Sequence, residues 1–180
     1  MAADSVTANS ITAEAPEQTD VVRRAAALPP DSPLQAALEG RADILAMTQQ
    51  AHDAALVPED PGGLSHALRA ALALRAALLH EEEALADHYR GLLTAASADG
   101  AMVALADPAT QDFADPRVAA FAAYTDLASK SPKDATADDI EALKAAGIGD
   151  ADIVRLAELT AFLAYQLRVV AGLKLMQATA

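Results

Sequence analysis

The stretch that most limits what this chain can become is "LSHALRAALALRAALL", residues 64–79. Apart from its first three residues it holds only Ala, Leu and two Arg, with no β-branched residue, Gly or Pro. Alanine loses no side-chain entropy in a helix and leucine loses little, so such a run is helical in any compact fold. Ser65 is placed to cap its start. Leu68, Leu72 and Leu79 fall on one stripe, and Leu74 and Leu78 widen the apolar face. Arg69 and Arg75 are then expected to mark its only wet side. A helix this apolar needs other helices around it.

The rest of the chain supplies them. About a quarter of all residues are alanine and only 3% are aromatic, so the core must form by close approach of small side chains and leucines. No strand-like alternation occurs anywhere. An all-α bundle of about six helices accounts for the pattern. Residues 1–31 are polar, acidic and rich in Thr and Ala, and are expected to form a disordered or loosely docked tail ahead of a helical domain over 32–180. "LPPDSP" closes that tail, with Asp31 or Ser32 available as a cap.

Further helices are expected on either side of a break near Gly40. Others should run from about Glu81 to Ala98, from Pro116 to the residues before Ser131-Pro132, from Thr136 to a stop at Gly147, and from Asp150 onward. The segment 100–114 reads as irregular or as a short turn of helix. The final segment, "LAELTAFLAYQLRVVAGLKLM", contains Glu158, Arg168 and Lys174, which favours a buried or interface helix over a membrane span.

Charge and cysteine usage exclude whole classes of function. With 13 basic and 26 acidic residues the net charge is −13, unsuited to phosphate backbones and to anionic membrane surfaces. There is no cysteine, so thiolate nucleophiles, disulfides and Cys-ligated metals are absent. The N-terminus has no basic region followed by an apolar one, and a cytoplasmic protein is expected. "HEEEA" at 80–84 misses the zinc-binding pattern HExxH, because Ala84 stands where the second histidine belongs. His52 and His66 are isolated in the sequence. No metal and no cofactor is expected.

"HEEEALADHYR", residues 80–90, holds the remaining candidates. On a helix begun at Glu81, Glu81, Leu85, His88 and Leu92 share a stripe, and Glu82, Leu85, Tyr89 and Leu93 share its neighbour. Glu83 aligns with Asp87 and Arg90 on a solvent face. The plain reading is that three acids at a helix start favour the positive end of its dipole. The functional reading makes Glu81, Glu82 and His88 a catalytic group, with the histidine as proton carrier tuned by a carboxylate.

"LSHALRAALALRAALLHEEEALADHYRGLL" resembles the core helix pair of the alkyl hydroperoxidase D-like (AhpD-like), or carboxymuconolactone decarboxylase, superfamily. "ADDIEALKAAGIGDADIVRLAELTAFLAYQLRVVAGLKL" is similar to that family's closing segment, with Arg168, Gly172 and Leu173 at its last positions. The resemblance spans roughly residues 34–176. It implies an AhpD-like bundle, peroxide reduction or lactone decarboxylation as the activity, and a homo-oligomer joined through helical faces. In an ungapped register the family's relay Glu falls on Ala70, its redox cysteines on Glu82 and Leu85, and its histidine on Tyr89. A shift of one residue moves the cysteines to Glu81 and Ala84 and recovers the histidine as His88.

Without thiols, sulfenic-acid chemistry is impossible. Two expectations follow. One is a cysteine-free acid–base enzyme using His88 with Glu81 or Glu82 on a small carbonyl or lactone compound. The other is a non-catalytic structural or partner subunit that keeps the fold.

Overall fold

The computed structural model describes residues 20–179. Among them every regular element is helical: α1 (Val21–Ala26), α2 (Pro33–Glu39), α3 (Ala42–Leu56), α4 (His66–Leu79), α5 (Glu83–Ala95), α6 (Gly100–Ala106), α7 (Pro116–Lys130), α8 (Ala137–Ala145) and α9 (Asp150–Ala178), with a 3-10 turn at Pro132–Asp134. The all-α bundle holds, and its helix count rises from about six to nine. The additions are the short pieces: Gly40 separates α2 from α3, α6 forms within 100–114, and α1 lies inside the segment read as tail.

That tail boundary is corrected. Val21, Val22, Ala25 and Ala26 are all buried, and α1 packs against α3, α5 and α9. Asp20 caps the helix by accepting from the N–H groups of Val22 and Arg23 at 2.9 and 3.2 Å. A capped turn that buries two valines is part of the core, so the folded unit begins by residue 20. The part of the tail over 1–19 lies outside the described residues.

α4 is the centre of the bundle, in contact with α3, α5, α6, α7 and α9. Ser65 caps it as expected, accepting from Leu68 N–H at 3.2 Å. Ten consecutive residues, Leu68 to Ala77, are buried, so α4 has no wet side over that span. Arg69 and Arg75 are 4% and 0% exposed, contrary to their expected place in solvent.

Each guanidinium is satisfied indoors, which makes its burial tolerable. Arg69 donates to the carbonyls of Leu64, Ala55 and Pro61 and so fastens the loop between α3 and α4. Arg75 grips both carboxylate oxygens of Asp126 on α7, at 2.5 and 2.7 Å. Its third nitrogen donates to the carbonyls of Leu105 in the last turn of α6 and of Asp107 and Thr110 in the α6–α7 connection.

The 29-residue α9 is long and apolar enough to cross a membrane by length and composition. Of its apolar window 44% is buried within the domain. Three other starts and stops match their expected residues. Ser32 caps α2, Asp139 accepts from Thr136 N–H at the start of α8, and Gly147 (φ +79°) ends α8.

The turn between α4 and α5 uses the same closing motif as Gly147, without a glycine. Glu82 N–H bonds to Ala77 O at 3.0 Å and Glu81 N–H to Leu78 O at 3.1 Å, which places Glu81 in the left-handed region at φ +56°.

Candidate active site

That turn decides where the glutamates go. Glu82 is the residue before α5, whose first helical residue is Glu83, so Glu81 is not on the helix that carries His88. The seven-residue stripe expected to join Glu81 to His88 therefore does not exist. Glu81 is exposed. Glu82 is largely covered, its side chain 11% exposed, because it accepts an ion-paired hydrogen bond from Lys174 on α9. It lines a cleft of about 110 Å³ with His80, Leu167, Arg168 and Ala171. His88 lines a different cleft. Glu83 is exposed on the solvent face with Asp87 and Arg90, as its stripe indicated.

His88, one turn and a half into α5, points instead at α3. Its Nε2 lies 2.9 Å from Nε2 of His52, with the ring centroids 5.0 Å apart. His52 is 3% exposed and is held from its other side: Nδ1 lies 2.9 Å from Asp53 Oδ1. Phe162 of α9 meets the His52 ring edge-on, with centroids 6.1 Å apart. Gln49, one turn earlier on α3, donates to the same Asp53 oxygen at 2.8 Å and accepts from Val21 N–H at 3.0 Å. The amide thus ties α1 to the histidine pair.

Hydrogen-bond chemistry fixes where the protons sit. An ionised carboxylate only accepts, so the 2.9 Å contact to Asp53, closer than the 3.3 Å between Gln49 Nε2 and the same ring nitrogen, calls for a proton on His52 Nδ1. In the neutral ring His52 Nε2 is then a bare acceptor, and the bond between the rings requires His88 Nε2 to donate. Neutral His88 is left with a lone pair on Nδ1. That atom has no partner among the described residues. Among the described residues the buried side-chain polar atoms without a partner are Thr125 Oγ1 and Gln166 Nε2.

His88 also lines an open cleft of about 220 Å³, together with Val21, Arg24, Ala25 and Ala84. The arrangement is a chain from Asp53 through His52 to His88, a residue that borders accessible space.

The electrostatics favour the unprotonated pair. Burial lowers the proton affinity of His52, opposed by its hydrogen bond to Asp53 and lowered further by Arg24. His88 is lowered to about 4, first by burial, then by His52 and Arg24, with Asp53 acting the other way. Near neutral pH the pair therefore carries no charge of its own and can accept a proton.

Of the residues expected to form a site, the fold keeps His88 at a cleft and separates it from Glu81 and Glu82. It adds His52, Asp53 and Gln49, which sequence reasoning passed over. The other two histidines have separate surroundings. His66 Nε2 lies 2.8 Å from Pro58 O, closing the α3–α4 loop, and His80 lines the Glu82 cleft. Among the described residues no group of three or more His, Asp or Glu side chains is arranged to hold a metal ion. Compared with known proteins, the chain matches no family model, no curated protein sequence and no solved structure. The resemblance to the AhpD-like superfamily rests on the quoted residues alone.

Proposed function

We propose that this chain is a cysteine-free acid–base enzyme acting on a small carbonyl or lactone compound, with His88 as the base. The observation that carries the proposal is the Asp53–His52–His88 chain, with His88 lining the cleft. A substrate bound beside Ala84 and Ala25 gives a proton to His88 Nδ1. His88 then passes the proton on its Nε2 to His52 Nε2, across the 2.9 Å bond. The positive charge ends on His52, against the Asp53 carboxylate, which is where the site tolerates it best. Reversal of the relay returns the proton to the product. Two neutral imidazoles and one carboxylate suffice for enolisation or for opening a lactone with water.

The resemblance to the carboxymuconolactone decarboxylase superfamily supports the lactone half of this reading. Its other family role, peroxide reduction by a thiol pair, has no chemical basis in a chain without cysteine. In place of Glu81 and Glu82, the proposal assigns the acid–base partnership of His88 to His52 and Asp53.

Turnover of small lactones, keto acids and hydroperoxides by the purified protein, with His88→Gln, His52→Gln and Glu82→Gln alongside, tests it. Loss of about 10²-fold or more in kcat/KM in both histidine variants is expected, the usual worth of a positioned acid–base group. Glu82→Gln should keep full activity. Turnover indifferent to both histidines would overturn the assignment.

A second reading, a non-catalytic subunit of a homo-oligomer, draws on a separate observation. Val154, Tyr165, Leu175 and Met176 of α9 are exposed apolar side chains, at 57%, 41%, 67% and 56%. A helical face of this kind suits a partner subunit. Sedimentation of the wild type beside Leu175→Glu/Met176→Glu tests that reading, and a monomer in both would remove it.

A further inference from the structure

Arg24 stands where two clefts meet. It lines the His88 cleft with Val21, Ala25 and Ala84, and also a neighbouring cleft of about 320 Å³ with Arg23, Leu28 and Gln35. It lies on α1, whose position is fixed by buried Val21 and Val22 and by the Gln49 bond to Val21 N–H. Its neighbour Arg23 is directed to Asp20, 3.7 Å away. Among the described residues no carboxylate lies within ion-pair distance of Arg24. In a chain of net charge −13, a cation at the mouth of the candidate active site is a selective feature.

We propose that Arg24 is the substrate-anchoring residue of this site and that the compound it takes carries a carboxylate. The inference rests on the acid–base reading for the role of His88, while the anion site itself rests on where Arg24 lies. The guanidinium presents a planar fork that matches a carboxylate. The wall between it and His88 is made of Ala25, Ala84 and Val21, which offer apolar surface and no competing hydrogen bond. A cleft of about 220 Å³ holds a compound of a few carbons, with the anion at Arg24 and its reacting C–H or acyl group toward Nδ1 of His88.

Binding has an electrostatic consequence for the base. Arg24 lowers the proton affinity of both His52 and His88, so a carboxylate that neutralises it strengthens the base at the moment substrate is present.

The test compares 2-oxobutyrate with its neutral amide, 2-oxobutyramide, by isothermal titration of the full chain. The wild type is expected to bind the acid at least tenfold more tightly than the amide. Arg24→Gln should erase that ratio by weakening the acid alone, Arg24→Lys should keep part of it, and Arg23→Gln should keep all of it. Binding of the acid should also raise the pH at which the His88 ring titrates, in the wild type and not in Arg24→Gln.

Equal or absent binding of acid and amide by the wild type, equal losses for both in Arg24→Gln, or tighter binding of inorganic phosphate than of the acid would overturn the proposal. The two readings separate cleanly. An Arg24-dependent acid preference with turnover indifferent to His88→Gln keeps the anion site and removes the acid–base role. Turnover lost in His88→Gln but unchanged, for acids and neutral compounds alike, in Arg24→Gln does the reverse.

Discussion

Two of the buried polar centres in this bundle, around Arg75 and around His52, differ in how completely they are satisfied. Around Arg75, five hydrogen bonds reach two carboxylate oxygens and three carbonyls, with no guanidinium nitrogen unused. Around His52 the chain runs from Asp53 through two rings and ends at His88, which lines a cleft. The first centre is closed and joins α4, α7 and the α6–α7 connection. The second is open at one end. A buried polar network with nothing left to bond is architecture, while one that ends in an unpartnered base at accessible space is equipped for chemistry. Both look alike in sequence, as lone charged or titratable residues on alanine-rich helices.

The widest gap between the two should appear in Arg75→Leu. Removing the cation strands the Asp126 carboxylate and three carbonyls, and breaking a buried pair from one side typically costs about 3–5 kcal/mol. Urea unfolding should show that loss, and a cost below about 1 kcal/mol would mean that the centre is not closed as described.

His88→Gln should do the opposite, with turnover falling by about 10²-fold or more while unfolding near neutral pH changes little. A loss of stability matching that of Arg75→Leu would make the histidine pair architecture too.

The pH dependence of stability sharpens the contrast. His88 titrates at about 4 in the folded chain and at the ordinary histidine value of 6.5 when unfolded. Between those values the unfolded chain binds more protons, so this contribution is complete above about pH 6.5 and lost as pH falls toward 4. Wild type and His88→Gln, close in urea-unfolding free energy near neutral pH, should therefore diverge as pH falls through that window, with the wild type becoming the less stable of the two. A difference independent of pH would contradict the lowered value.

The smallest expected effect is at the turn that displaced the glutamates. Glu81 is exposed and left-handed, so Glu81→Gly should raise stability by about 0.5–1 kcal/mol and leave turnover unchanged. Loss of activity in that variant would return Glu81 to the site.

The fold was legible where local chemistry decides it. Ser65, Ser32, Thr136, Gly147 and Pro116 mark their helix ends, and the Ala/Leu run of α4 forms the expected buried helix. Three things were not legible, each for a physical reason. Arg69 and Arg75 look like surface residues because a charged side chain is buried only when partners exist, and theirs are loop carbonyls and an aspartate 51 residues away.

Glu81 looks helical because a left-handed non-glycine closing residue has no sequence signature. Two further positive-φ residues, Ala27 and Ser97, make the same point. The site was half legible. His88 stood out beside acids in its own segment, whereas its partner His52 lies 36 residues earlier on another helix. Only Asp53 beside His52, with Gln49 one turn before, hinted at a supported ring.

The central claim is that His52 and His88 share one hydrogen bond, with the free lone pair on His88 Nδ1. Nitrogen-15 NMR of the imidazole rings, followed from pH 7.5 to 3.5, measures this directly. The account predicts His52 as the Nδ1–H tautomer and His88 as the Nε2–H tautomer at neutral pH, with His88 gaining its second proton only near pH 4. Two independent rings in mixed tautomers, each titrating close to 6.5, would contradict it.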